Sequence, residues 1–233
     1  MRKDQRRNDE LRNISITRNY LKHPHGSVLI CWGDTKVICT AYAEDKIPQF
    51  LKGSGKGWIS AEYSMLPASS GSRIPRRPAG RSTEIQRLIG RSLRSAADLT
   101  LLEEKTIWID CDVIQADGGT RTASVTGAFV ALYDAVQKLI AEGMIRENPL
   151  KEFAAGVSTG LCGGEILVDM CYEEDSSAEA DMNVVMTENG DFIEIQTTGE
   201  ERPVRPSEIN AMLDAASGAI KKIINIQKSV LGL

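Results

Sequence analysis

The residues Asp117-Gly118-Gly119-Thr120-Arg121-Thr122 put two glycines and an arginine between segments of different period. Thr106 to Ile114 alternates apolar and polar residues, the pattern of a half-buried strand. From Ser124 onward Val125, Phe129, Leu132, Val136, Leu139 and Ile140 fall on one helical stripe. The expected order is therefore strand, glycine turn, helix. Backbone N–H groups at a helix start lack intrahelical partners and carry partial positive charge. Glycine lets that backbone approach a ligand closely. An arginine added to such an end calls for an anion, and phosphate is the usual one; an ordinary turn with a solvated arginine would have the same sequence. Arg81 meets the same conflict. It precedes a helix start expected at Thr83, where Thr83-Glu84-Ile85-Gln86 fits a capping box. Behind it Ile85, Leu88, Ile89, Leu93, Ala96 and Ala97 form the apolar stripe. Two arginines so placed favour one shared anion site.

The second candidate is acidic. Glu173-Glu174-Asp175-Ser176-Ser177-Ala178-Glu179-Ala180-Asp181 is the densest run of carboxylates. Asp175 is expected to close one strand and Asp181 to open the next, so the loop between them could bring the two together. Paired carboxylates hold Mg²⁺ through a few oxygen ligands, with phosphate and water completing the shell. One of the pair could instead protonate a leaving oxygen. A solvated acidic loop is the competing reading. Pro67 to Ser82 holds three prolines, two glycines and Arg73, Arg76, Arg77 and Arg81 without an acidic residue, which describes an exposed basic loop. Other machinery is missing from the sequence. There is no Walker A loop and no G-x-G-x-x-G. His23 and His25 flank Pro24, remote from any nucleophile elbow, and read as loop residues. A phosphate pocket, a carboxylate pair and a basic loop are the parts needed to act on a phosphodiester beside a bound phosphate. With that phosphate as nucleophile the reaction is phosphorolysis.

These residues must be held by an α+β scaffold. Ile14 to Arg18 reads as a short strand, and Ser27 to Trp32 and Thr35 to Ala43 as a hairpin across Gly33-Asp34. Trp58 to Leu66, Ala154 to Leu161 and Glu165 to Tyr172 read as further strands. Asp181 to Thr187 and Phe192 to Thr197 form another hairpin across Glu188-Asn189-Gly190-Asp191. Gly143 is placed to end the helix that begins near Ser124, and Ile209, Met212, Leu213, Ala216, Ile220, Ile223 and Ile224 mark a last helix. Asp34 to Asp45 overlays Gly164 to Asp175: each starts at a glycine hairpin, continues as a strand and ends Tyr-x-Glu-Asp. That suggests a duplicated β-rich/helix unit within a single domain over 1–233, with pseudo-repeats at about 11–145 and 150–233.

A net charge of −4 leaves no strong global attraction to nucleic acid, so a polyanion must be met by a local basic patch. A composition 42% hydrophobic and 26% charged describes a soluble globular protein, and no run approaches the ~18 apolar residues of a membrane span. The N-terminus, Met1 to Arg7, lacks the apolar segment of a secretory signal. Five cysteines, odd in number and without a C-x-x-C pair, favour reduced thiols in a cytoplasmic setting and argue against zinc.

Four stretches together resemble the bacterial ribonuclease PH family: Glu62 to Pro67, Gly80 to Arg94, Asp110 to Gly127, and Glu174 to Ser176 with Asp181 to Thr187. The resemblance runs over nearly the whole chain, from Leu11-Arg12 through Glu194-Ile195-Gln196. It implies a ribosomal-protein-S5-domain-2-like fold, a hexamer built as a trimer of dimers, and trimming of precursor-tRNA 3′ ends with inorganic phosphate, releasing nucleoside diphosphates. It carries phosphate binding onto Arg81, Gly119, Thr120 and Arg121, metal binding and acid catalysis onto Asp175 and Asp181, and tRNA binding onto Arg73, Arg76 and Arg77. The arginine loop is a few residues shorter than is usual in the family. Thr197-Thr198-Gly199-Glu200 stands where the family typically reads Gly-Thr-Ala-Glu. The alternative is a non-catalytic RNA-binding ring subunit like the inactive relatives in exosome cores. Those usually lose the phosphate arginine or the aspartates, and this chain keeps both. An enzyme acting on free nucleosides would need no cationic loop.

Overall fold

The computed structural model describes residues 2–76 and 80–233. Among these, β1 (Ile14–Arg18), β2 (Gly26–Trp32), β3 (Thr35–Glu44), β4 (Trp58–Met65) and β5 (Thr106–Gln115) form one sheet in the order β1-β2-β3-β5-β4. Its pairs are antiparallel except β4 with β5, which run parallel. A parallel pair needs a long crossover, and α1 (Gly80–Ser95) supplies it. After α2 (Thr120–Ala141), the strands β6 (Ala154–Cys162), β7 (Glu165–Val168), β8 (Ala180–Thr187) and β9 (Phe192–Gly199) form an antiparallel sheet in the order β7-β6-β8-β9. The short α3 (Tyr172–Asp175) interrupts it, and α4 (Pro206–Leu231) closes the chain. Two β-rich halves each carry amphipathic helices, the α+β arrangement expected.

The alternation in β3 explains its place. Val37, Cys39 and Ala41 are fully buried, while Ile38 and Thr40 are half-buried on the other face. The helix α2 is different: most of its residues are buried, because it packs on β2 and β3 of the first sheet and β6 of the second. Gly127 permits that approach, since a Cβ there would fall 2.8 Å from Ile30 Cγ2 and 2.9 Å from Cys39 Sγ. From α4 the buried Gln227 donates to the carbonyls of Thr126 (3.0 Å) and Ala154 (3.1 Å), joining three elements across the interface of the halves.

The structure moves several expected boundaries. The helix α1 begins at Gly80, so Thr83 lies inside its first turn and is not its N-cap. Gln86 does not reach back to Thr83; its Nε2 donates to the Tyr63 carbonyl at 3.5 Å. The helix α2 begins at Thr120, four residues before the start expected near Ser124, because Thr120 to Ser124 carry no large apolar side chain to mark them yet are still helical. The overlay of the two hairpins holds at their turns, where Trp32 pairs with Thr35 and Cys162 with Glu165. It fails at their ends. Tyr42 to Glu44 continue β3, whereas Tyr172 to Asp175 form one helical turn. Asp175 therefore closes a helix and not a strand.

Asp169 causes that difference. Its backbone takes a left-handed φ of +54°, which turns the chain from β7 toward α3. Aspartate tolerates this region better than most residues. Its buried carboxylate accepts hydrogen bonds from the Arg12 backbone N–H (2.6 Å), Arg12 Nη2 (2.7 Å) and the Trp32 indole (2.8 Å). The segment before β1 packs behind the same turn. Arg2, 6% exposed, grips Glu174 with Nε at 2.7 Å and Nη2 at 2.6 Å, and donates to the carbonyls of Val168 (2.9 Å) and Asp169 (3.0 Å).

Candidate active site

The ends of β4 and β5 and the starts of α1 and α2 meet α3 and β8 around a cavity of about 720 Å³. Its inner wall is the glycine turn. Gly118 and Gly119 have φ of +71° and +63°, a conformation that side chains with a Cβ resist. Gly118 also lies tightly under α3, because a Cβ there would fall 2.5 Å from the Met170 carbonyl. Thr35 ties the turn to the first sheet: its hydroxyl donates to the Gly118 carbonyl at 2.7 Å and accepts from the Asp117 N–H at 2.9 Å. Asp117 in turn accepts from the Tyr172 N–H at 3.1 Å at the start of α3. Thr120, which opens α2, accepts from the buried Tyr63 hydroxyl at 2.9 Å. The bond leaves the threonine hydroxyl proton available to a ligand.

The arginines stand at both helix starts. Arg121 lies in the first turn of α2, and its side chain is 16% exposed. It is not the uncompensated cation that the sequence suggested. Its Nη1 donates to the Gln196 side-chain oxygen on β9 and lies 3.8 Å from a Glu84 carboxylate oxygen on α1. Gln196 Nε2 donates to the same Glu84 at 2.6 Å. Arg121 is thus braced from two sides and held in one orientation. Arg81, in the first turn of α1, makes no ion pair among the described residues and also lines the cavity.

Across the cavity stand Asp175 at the end of α3 and Asp181 near the start of β8. Burial pushes the Asp175 carboxyl above its ordinary range, against the pull of Arg81 and Arg121. Burial also pushes Asp181 upward, reinforced by the charge of Asp175 and opposed by Arg121. Both carboxyls thus feel Arg121, Asp175 also feels Arg81, and all four side chains line one cavity. Asn183 Nδ2 donates to Asp181 at 3.2 Å, and its carbonyl oxygen is a further hard donor. Among the described residues no group of three or more histidine, cysteine or acidic side chains forms a metal cluster. Two carboxylates suit Mg²⁺, which keeps several waters and takes substrate phosphate oxygens.

Arg81, Gly119, Thr120, Arg121, Asp175 and Asp181 therefore share one cavity, and Arg76 lines its mouth. Arg73 is exposed and stands outside that lining, and Arg77 lies outside the described residues. The sequence pattern gave no role to Tyr63, Ser158 or Asn183, which also belong here. Asn183 was readable, since residues two apart in a strand share a face and Asp181 was already marked. Ser158 lies in a run of small residues on β6 with no such signal.

The fold is shared with rice (Oryza sativa) Rrp46, which is 22% identical, with a TM-score of 0.82 over 99% of this chain and 100% of that one. A subunit of the Archaeoglobus fulgidus exosome, solved with RNA bound to the active site, is also 22% identical, with a TM-score of 0.81 over 96% of this chain and 91% of that one. Residues 10–137 match domain 1 of the 3′ exoribonuclease family and residues 152–219 match its domain 2, so the chain belongs to that family. Within it, the Ribonuclease PH of Bacillus pumilus (strain SAFR-032) is 56% identical over 238 residues, which cover 100% of this chain and 98% of that protein.

Proposed function

We infer that the protein is a phosphate-dependent 3′–5′ exoribonuclease that trims RNA 3′ ends, those of precursor tRNA among them, and releases nucleoside diphosphates. The observation that carries this reading is the single cavity in which two helix starts bearing Arg81 and Arg121 face Asp175 and Asp181. The 56% identity to a ribonuclease PH over the full chain supports the same activity.

Inorganic phosphate takes the glycine turn, held by the Gly119 and Thr120 backbone, Arg81 and Arg121. One of its oxygens attacks the phosphorus of the terminal phosphodiester. The bond from phosphorus to the 3′ oxygen of the penultimate nucleotide breaks, and the last nucleotide leaves with two phosphates on its 5′ carbon. The departing 3′ oxygen takes a proton from Asp181, whose carboxyl is pushed above its ordinary range by burial and by the Asp175 charge. Asp175 and Asp181 would also hold a Mg²⁺ ion, which when bound supplies charge neutralisation for the phosphate oxygens. Arg121, braced by Gln196 and Glu84, fixes the orientation of the attacking anion. Arg73, Arg76 and Arg77 meet the RNA backbone, Arg76 from the cavity mouth. One phosphoanhydride replaces one phosphodiester, so the reaction reverses in excess diphosphate and adds nucleotides to the 3′ end.

The chain functions as one domain of two pseudo-repeats, about 11–145 and 150–233, within a cytoplasmic homohexamer made as a trimer of dimers. Among the described residues no helix is long and apolar enough to cross a membrane. A non-catalytic RNA-binding subunit would have no use for two carboxylates facing two arginines. The decisive experiment follows a 3′-extended tRNA with and without phosphate. Shortening should need phosphate and yield nucleoside 5′-diphosphates. Monophosphate release at an undiminished rate in phosphate-free buffer would make the protein a hydrolase and refute this function.

A further inference from the structure

Five buried side-chain polar atoms among the described residues have no hydrogen-bond partner: Arg6 Nη2, Ser69 Oγ, Ser158 Oγ, Thr159 Oγ1 and Gln227 Oε1. Such a group costs stability, so its persistence asks for a reason. Of these residues, Ser158 alone lines the cavity beside the glycine turn. It sits in the middle of β6, 5% exposed, and its backbone is committed, since its carbonyl accepts the Asp169 N–H at 2.7 Å. Its register partner across the sheet is Asn183, which lines the same cavity two residues from Asp181. Its Oγ stands 4.0 Å from the point where a Cβ on Gly119 would fall. The hydroxyl thus approaches the turn from the second sheet, whereas the arginines that line the same cavity come from α1 and α2.

We propose that Ser158 is a phosphate ligand: its hydroxyl donates to an oxygen of the inorganic phosphate seated at Gly119 and Thr120. This rests on the phosphorolytic reading above and adds a residue to it. The arginines and the helix start supply charge, and a neutral donor from below supplies direction. The attacking oxygen is then the one facing the RNA, since those bound to Ser158 and Arg121 are committed. The hydroxyl is unpaired in the protein because its partner arrives with the substrate, the arrangement that makes a site costly to the fold and favourable to the ligand.

Ser158→Ala separates this role from a structural one. Titration calorimetry of the full-length protein with inorganic phosphate should show affinity weakened about tenfold or more, the usual scale for a hydrogen bond lost from an ion. The phosphate concentration at half-maximal rate should rise by the same factor, with RNA affinity unchanged. Without phosphate the variant should melt at or above the wild-type temperature, because it has shed an unpaired buried hydroxyl. The rise in melting temperature on adding phosphate should shrink. Ser158→Cys, which keeps the shape with a weak donor, gives the same readouts should the alanine variant not fold. Unchanged phosphate affinity in a wild-type-like variant overturns the proposal, as does a lower melting temperature without phosphate combined with normal affinity. If the wild-type enzyme itself ignores phosphate, the phosphorolytic reading has failed, a result visible before any variant is made.

Discussion

Arg2 lies far from the cavity in sequence, yet its replacement should loosen the carboxylate wall. The helix α3 is one turn long, and a single turn has no stability of its own in water. It is held from outside, and the largest hold is the pair of bonds from Arg2 to Glu174, backed by two bonds from Arg2 to the Val168 and Asp169 carbonyls. In Arg2→Ala all four vanish. Breaking a buried ion pair costs about 3–5 kcal/mol. Glu174 keeps Arg6 at 3.7 Å and the Cys171 N–H at 3.1 Å, so the lower end of that range applies. At about 1.4 kcal/mol per factor of ten, about 3 kcal/mol makes opening of this turn roughly 100-fold more frequent. Hydrogen exchange reads this directly. The Asp175 N–H bonds to the Cys171 carbonyl and the Ser176 N–H to the Tyr172 carbonyl, each at 2.9 Å, and both amides should exchange roughly 100-fold faster. Turnover should fall while phosphate affinity, set at the helix starts, holds. If those two amides exchange at the wild-type rate, the latch does not support α3 and the reasoning is wrong.

Asp181→Asn keeps the shape and removes the dissociable proton, so turnover should drop roughly 10²-fold or more with little change in RNA affinity; near-normal rates would take Asp181 out of the chemistry. Stability should move the other way. The folded carboxyl titrates above its unfolded value, so wild-type stability is lost as pH rises from the ordinary carboxylate range through the raised one, and the variant escapes that loss above this window. Thermal melts at acidic and neutral pH should show the variant gaining on the wild type only at the higher pH. Replacing Arg73, Arg76 and Arg77 by alanine should weaken RNA binding and flatten its salt dependence, by about 0.7 in log–log slope for each RNA phosphate no longer neutralised. The affinity for inorganic phosphate should hold, and an unaltered slope would move the RNA track elsewhere.

Much of this site was legible from one chain because its parts obey local rules. The glycine turn at Gly118-Gly119 sits where period two gives way to period 3.6, and both arginines sit at helix starts. What eluded the sequence was longer in range. Thr83 resembled an N-cap because the capping-box pattern is local, whereas α1 starts at Gly80. The Tyr-x-Glu-Asp repeat was only a resemblance of letters, because Asp169, pinned by Arg12 and Trp32 more than 130 residues away, bends one copy into a helix. The bracing of Arg121 by Gln196 and Glu84 joins three elements. Ser158 carries no pattern at all, and only the second sheet folding against α2 places it beside the turn.

The cavity also has a schedule. Both arginines and the glycines of the turn have been made by residue 121, whereas Asp175 and Asp181 lie 54 and 60 residues further on (175 − 121 and 181 − 121), and Gln196, which braces Arg121, later still. At roughly 5–20 residues per second, a growing chain carries these cationic residues for about 3–12 s before the acidic ones are made. Arg2 waits longer still, since its partner Glu174 comes 172 residues after it. A chain on the ribosome, surrounded by tRNA and tethered to its own message, is therefore born without a complete cutting site and acquires one only when its later half is out.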